Sequence, residues 1–236
     1  MKLLIIIPAY NEAENIERVV GMLNEKVPQY DYIIVNDGSK DRTADICREK
    51  GYPLLDLPIN LGLTGAIQSG MKYAYQMGYD AAIQIDGDGQ HDPAYIPAME
   101  KIMEQEKCDI VVGSRFVSEK KPHSMRMLGN TIISTAVHLT TGKRLSDSTS
   151  GMRLVNRDLI RCFAYELNFG PEPDTVSYLL RCGAHMEEIQ VTMQERVAGE
   201  SYLTIGRSIK YMLEMCISIL LIQGFRRKTE LKKGVK

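Results

Sequence analysis

The sequence predicts an α/β fold built on a mostly parallel central sheet flanked by helices. Three observations carry that expectation. Short runs rich in isoleucine and valine alternate with segments of helical periodicity, the segments between runs are long enough to be crossover helices, and 236 residues of ordinary globular composition supply one well-packed domain. Parallel neighbours need such crossovers, which cover both faces of the sheet.

Residues 3–7 form an unbroken leucine and isoleucine run and read as a buried first strand. Residues 12–26 space their apolar positions as an amphipathic helix, and residues 32–35 give a second strand. The turn cluster Asn36-Asp37-Gly38-Ser39 comes next, then a helix over 41–50, a strand over 54–57 and a helix over 63–77. A fourth strand is predicted over 81–85 and a fifth over 109–112. The second half is less regular, with helical signals over 125–140, 173–181 and 205–225 and a strand over 187–194. No internal repeat or low-complexity linker interrupts the chain. The first run superficially resembles a signal peptide, but it is too short and Pro8 follows it without a small-residue cleavage site. No stretch reaches the roughly 18 consecutive apolar residues of a membrane-spanning helix.

Hydrophobic residues at 44% and charged residues at 25% exclude a disordered chain, a collagen-like repeat and a disulfide scaffold. A formal net charge of -1 provides no basic field, which argues against general nucleic-acid binding. Cys47, Cys108, Cys162, Cys182 and Cys216 are scattered and show no C-x-x-C spacing, so they indicate neither a zinc site nor a disulfide framework and read as reduced thiols in a cytoplasmic protein.

In sheets of this kind ligands bind beyond the carboxyl ends of the strands. The loops to inspect are therefore 8–12, 36–39, 60–64 and 86–92. The sharpest is Asp86-Gly87-Asp88-Gly89-Gln90-His91-Asp92, where a buried strand ends in closely spaced carboxylates. Two carboxylates one residue apart can face one hard divalent cation, with glycines letting the backbone fold around it; the plainer alternative is a turn of solvated acids. An EF-hand starting at Asp86 fails, since its sixth and twelfth positions are His91 and Pro97. A dinucleotide site fails too, because Pro8-Ala9-Tyr10-Asn11-Glu12 stands where G-x-G-x-x-G is required. His91 is either a metal ligand or a cap on the loop.

Taken together, Ile6-Ile7-Pro8-Ala9-Tyr10-Asn11-Glu12, Val35-Asn36-Asp37-Gly38-Ser39 and the Asp86 loop resemble glycosyltransferase family 2 in order and spacing. Asn60-Leu61-Gly62, Gly113-Ser114-Arg115-Phe116, Asp147-Ser148-Thr149-Ser150-Gly151-Met152-Arg153 and Arg196-Val197-Ala198-Gly199-Glu200-Ser201 bring the likeness closer to the dolichyl-phosphate mannose synthase-like branch. The resemblance covers about residues 3–205 and implies a glycosyltransferase-A type catalytic domain over 1–203, with a helical and basic appendage over 204–236. It implies a nucleotide-sugar donor held by Pro8, Ala9, Tyr10, Glu12, Asp37, Ser39, Asn60, Gly62 and Asp86. For Asp37 an Asx-turn or helix cap coexists with binding. The resemblance further implies that Asp86 and Asp88, with Gln90 as third contact, hold Mg²⁺ or Mn²⁺ on the donor diphosphate. Arg115, Arg126 and Arg196 occur where the family places arginines for phosphate groups, so the catalytic set is Asp88 with these three. Asn130, four residues after Arg126, would on a helix share one face with it toward the same ligand, so the acceptor-binding set is Arg115, Arg126 and Asn130.

The expected reaction is inverting transfer to a polyprenyl phosphate at the cytoplasmic membrane face. Such an acceptor is already anionic, its second pKa being about 6, and needs no protein base. A hydroxyl acceptor would need one, for which Asp147, Glu172 and Asp174 are candidates. A non-catalytic donor-sensing scaffold is the remaining rival, and the intact Asp86-Asp88 pair argues against it. In the tail, Ile205, Ile209, Met212, Leu213, Cys216, Ile217, Leu220 and Leu221 form a broad apolar face, and Arg207, Lys210, Glu214 and Ser218 a narrower polar stripe. Arg226, Arg227, Lys228, Lys232, Lys233 and Lys236 then follow, with Glu230 as the sole opposing charge. This pattern suits attachment to an anionic membrane surface, or else a helix packed on the domain or in an oligomer interface.

Overall fold

The computed structural model describes residues 1–119, 121–122, 125–166, 170, 172–193 and 205–226, without the side chains of 125, 126, 205 and 207–209. Among them a seven-stranded sheet has the order β3-β2-β1-β4-β6-β5-β7. The strands are β1 (Leu3–Ala9), β2 (Asp31–Asn36), β3 (Leu54–Asp56), β4 (Ala81–Gln84), β5 (Ile110–Ser114), β6 (Arg153–Asn156) and β7 (Met186–Gln190). All neighbours pair in parallel except β6, which runs antiparallel to both β4 and β5.

The helices are α1 (Ile16–Lys26), α2 (Thr43–Glu49), α3 (Gly62–Gln76), α4 (Ile96–Glu106), α5 (Met125–Thr141), α6 (Arg157–Tyr165), α7 (Pro173–Arg181), α8 (Ile205–Ile217) and α9 (Gln223–Phe225), with a π-helical turn at Ser218–Ile222 between the last two. The continuous apolar run of β1 is explained by two cores. Leu4 and Ile6 pack with α3, α6 and α7 on one face, while Leu3, Ile5 and Ile7 pack with α1 and α4 on the other. A third cluster joins Ile133 and Val137 of α5, Val176 of α7 and Ile219 of the π-helical turn.

Three elements depart from the sequence reading. Helix α4, strand β6 and helix α6 were not expected, and β6 brings a reversed strand into an otherwise parallel sheet. The strand predicted over 187–194 is β7, which leaves the ladder after Gln190. Ser218, assigned to a polar stripe, is buried and donates to Asp174 Oδ2 at 2.7 Å.

The chain builds β1, β2 and β3 outward in one direction and then returns to place β4 on the other side of β1. That reversal is a topological switch point, and it opens a crevice beyond the carboxyl ends of β1 and β4.

Candidate active site

A cleft of about 1080 Å³ fills that crevice. Pro8, Ala9, Tyr10 and Glu12 reach it from the end of β1, Asp37 from the end of β2, Asn60 and Gly62 from the start of α3, and Asp86 and Asp88 from the end of β4. The predicted donor residues are thus brought together, apart from Ser39, whose Oγ accepts the Asn11 amide at 2.9 Å and braces the rim. Sequence reasoning missed Asn11, Asp41, Arg42 and Ile46 in the lining. Asn11 did carry a signal: it takes a left-handed conformation, φ 57°, which asparagine tolerates better than most residues.

The loop geometry follows from a few fixed contacts. Asp37 is buried and its Oδ1 accepts the Leu61 amide at 2.7 Å, tying the 36–39 loop to the entry of α3. Gly38 sits between them with φ +63°, and a Cβ there would stand 2.7 Å from the backbone of both Ile59 and Asn60. Burial alone would raise the Asp41 carboxyl, but hydrogen bonds from Thr43 and Ala13 bring it below its ordinary value.

At the acidic corner, Arg18 Nη2 donates to the Asp88 carbonyl at 2.6 Å and Gln84 Nε2 donates to Asp86 Oδ1 at 2.8 Å. The backbone N–H of Gln90 donates to Asp88 Oδ1 at 3.0 Å, and the Gln90 side chain is not among those lining the cleft. His91 is buried and its Nδ1 accepts the Asp86 amide at 3.1 Å, which caps the loop. Among the described residues lining the cleft are six carboxylates, Glu12, Glu14, Asp37, Asp41, Asp86 and Asp88, against one guanidinium, Arg42. A diphosphate would be repelled from such a wall unless a cation came with it.

No group of three or more His, Cys, Asp or Glu fit to hold a metal occurs among the described residues. Asp86 and Asp88 nevertheless fit a Mg²⁺-like or Mn²⁺-like ion, because such ions commonly take one or two protein carboxylates and fill their remaining positions with substrate phosphate and water.

A second cluster lies beyond the end of β5. Arg115 Nε and Nη2 donate to Asp147 at 2.6 and 2.9 Å, and Asn130 Nδ2 donates to the same carboxylate at 2.7 Å. The Lys121 ammonium donates to Asn130 Oδ1 at 2.5 Å. Burial would raise the Asp147 carboxyl, yet Arg115, Thr149 and Asn130 hold it below the usual range. Burial pushes the Lys121 amine down, with Asp147 and Glu188 opposing. Arg115 and Asn130 are therefore together, as the sequence reading expects, and Lys121 joins them unpredicted. Arg126 stands one turn before Asn130 on α5, and its side chain is outside the described residues, as is all of Arg196.

The three candidate bases are occupied. Asp147 is held by Arg115, Glu172 accepts the Tyr211 hydroxyl, and Asp174 accepts the Ser218 hydroxyl.

Comparison with known proteins matches the glycosyl transferase family 2 model over residues 4–163. The undecaprenyl-phosphate mannosyltransferase of Micrococcus luteus is 30% identical over 219 residues, covering 87% of this chain and 89% of that protein. The UDP-N-acetylglucosamine–dolichyl-phosphate N-acetylglucosaminyltransferase of Methanococcus voltae is 33% identical over 184 residues, covering 69% of this chain and 72% of that protein. Glucosyl-3-phosphoglycerate synthase from Mycobacterium tuberculosis, solved with Mn²⁺ and UDP-glucose, superposes with a TM-score of 0.69 at 16% identity over 96% of this chain and 80% of that one.

Proposed function

The chain belongs to glycosyl transferase family 2 and has the glycosyltransferase-A fold, and on that premise we propose that it moves a sugar, with inversion, from a nucleotide diphosphate sugar to a polyprenyl phosphate. The observation that carries the reading is the strand-end pair Asp86 and Asp88 in a cleft whose lining is otherwise short of positive charge.

The nucleoside would lie against Pro8, Ala9, Tyr10 and Asp37, with Glu12, Asn60 and Gly62 around it. Asp86 and Asp88 would hold Mg²⁺ or Mn²⁺, which as a Lewis acid neutralises the charge growing on the departing nucleoside diphosphate. Arg115, fixed by Asp147, would offer its planar donor fork to the acceptor phosphate, with Lys121 and Asn130 alongside and Arg126 and Arg196 as further candidates. An acceptor phosphate needs no deprotonation by the protein, and this agrees with Asp147, Glu172 and Asp174 all being engaged elsewhere. A hydroxyl acceptor finds no uncommitted base among those three.

Attachment to an anionic membrane surface accounts for the outer face of the C-terminal helices. Met212, Cys216 and Ile219 pack inward toward α5 and α7, while Leu213, Ile217, Leu220, Leu221 and Phe225 stay exposed, Phe225 at 92%. Helix α5 also exposes Leu128, Ile132 and Leu139, and Arg227, Lys228, Lys232, Lys233 and Lys236 follow Phe225 and Arg226 in the sequence. No helix among the described residues is long and apolar enough to cross a membrane. A surface helix beside basic groups gains from both apolar burial and attraction to anionic lipid.

The test is transfer by purified protein from radiolabelled UDP- and GDP-sugars to a polyprenyl phosphate. The expected product is a labelled lipid cleaved by mild acid, as glycosyl phosphates are. An acid-stable labelled lipid, or nucleotide-sugar binding with neither transfer nor slow donor hydrolysis, would overturn the reading.

A further inference from the structure

Strand β4 carries Ala81, Ala82 and Ile83 into the core and then, still inside it, a glutamine: Gln84 is 4% exposed. Burying an amide costs about 1–3 kcal/mol unless it is hydrogen-bonded, so the position calls for a reason. Its bond is to the neighbouring acid, Nε2 donating to Asp86 Oδ1 at 2.8 Å.

A buried cation lies on the neighbouring strand. Ile83 pairs with Leu154 across β4 and β6, and one step further in that register sets Gln84 opposite Arg153. Both line an internal void of about 20 Å³. Arg153 is buried, donates through Nη1 to the Glu172 carbonyl at 3.2 Å, and has an Nε without a hydrogen-bond partner. An amide has a donor end and an acceptor end. An ionised carboxylate only accepts, so the NH₂ end belongs toward Asp86.

We propose that Gln84 is a positioning residue that fixes Asp86 in the rotamer that receives the divalent cation. Two hydrogen bonds define the grip and leave one oxygen over. Gln84 holds Oδ1, His91 Nδ1 holds the Asp86 backbone amide, and Oδ2, 3.8 Å from His91 Nε2, is left to the cleft that Asp86 lines. Residues that orient a metal ligand typically contribute 10- to 100-fold in metal affinity or activity when removed, the order of effect expected here. The inference rests on the proposed metal role of Asp86.

The experiment measures UDP and GDP affinity by calorimetry, with Mn²⁺ and with EDTA, for wild type, Asp86→Ala, Gln84→Met and Gln84→Leu. The readout is the ratio of the two affinities, which isolates the metal-dependent part. Asp86→Ala is expected to abolish the Mn²⁺ gain. Gln84→Met and Gln84→Leu are expected to cut it by about 10- to 100-fold while leaving the EDTA affinity and the melting temperature near wild type. If Asp86→Ala keeps the gain, the metal reading itself fails and this inference falls with it. If Asp86→Ala loses the gain while both Gln84 variants keep it, the metal reading stands and the role of Gln84 is rejected. Equal loss with and without Mn²⁺, or failure of both Gln84 variants to fold, makes Gln84 a structural residue and also overturns the proposal.

Discussion

Replacing Asp147 by asparagine tests the charge pair that fixes Arg115. The Asp147 side chain is 0% exposed and receives Arg115 Nε at 2.6 Å, Arg115 Nη2 at 2.9 Å, Asn130 Nδ2 at 2.7 Å and Thr149 Oγ1 at 3.0 Å. Asparagine keeps the shape but removes the charge and turns an NH₂ toward groups that are themselves donors. Removing one partner of a buried pair costs about 3–5 kcal/mol. Arg115 keeps 19% of its side chain exposed, so water recovers part of that loss and the expectation is the lower end, about 3 kcal/mol. At about 2–4 °C per kcal/mol for a chain of this size, the melting temperature falls by about 6–12 °C. The pH dependence has a definite sign. The folded Asp147 pKa is lowered, so its stabilisation is fully present above the unfolded value of about 3.9 and is lost as pH falls through the folded pKa. Urea melts of both proteins from pH 7 into the acid range should therefore show a wide gap at neutral pH that closes toward low pH. A gap below about 1 kcal/mol at pH 7, or one that stays constant into acid, would refute the argument.

Asp88→Ala should remove the Mn²⁺-dependent part of donor binding, and EDTA should do the same to wild type; calorimetric affinity unchanged by either rejects the metal role. Gly38→Ala places a Cβ 2.7 Å from the Ile59 and Asn60 backbone at φ +63°, so it should lose at least about 2 kcal/mol of stability and weaken nucleotide binding; a wild-type melting curve would show that the loop yields freely. The double variant Leu221→Ser with Phe225→Ser should bind anionic phospholipid vesicles at least about tenfold more weakly in a flotation assay, since two exposed apolar side chains lose their gain on burial. Vesicle binding equal to wild type would remove that face from the membrane contact.

The cleft proposed for the donor was legible because its loops are local. Pro8, Asp37 and Asp86 each stand at or just past the end of a mainly apolar strand, so finding the strands also found the loops. Helix α4 had readable signals that were passed over, with proline in its first turn and Ile96, Met99 and Met103 on one face. Strand β6 had almost none. It is four residues long, opens on a buried arginine, and runs straight into α6 through Asn156, whose side chain accepts the Leu159 amide as an N-cap. Its place between β4 and β5 is a tertiary fact without a local pattern. Ser218 likewise reads as a surface serine, because the buried Asp174 that accepts its hydrogen bond lies 44 residues away.

That unreadable strand explains why the Arg115 cluster, proposed for the acceptor, and the acidic corner are neighbours. A strand parallel to β4 and β5 would be preceded by a loop at their amino ends, the edge away from the cleft. Because β6 is reversed, the residues just before it lie across the carboxyl ends of β4 and β5. Segment 147–153 uses that position throughout its length. Asp147 clamps Arg115, Ser150 donates its hydroxyl to the Gly113 carbonyl, Gly151 packs beside His91 and Asp86, and Arg153 opens β6. Asp147 and Gly151 are four residues apart, a reach of at most about 14 Å even when fully extended. The arginine proposed for the acceptor phosphate and the carboxylate proposed for the metal are thus braced by one short stretch of chain. A change anywhere in it should disturb donor and acceptor use together, whereas a change in the 36–39 loop should disturb donor use alone.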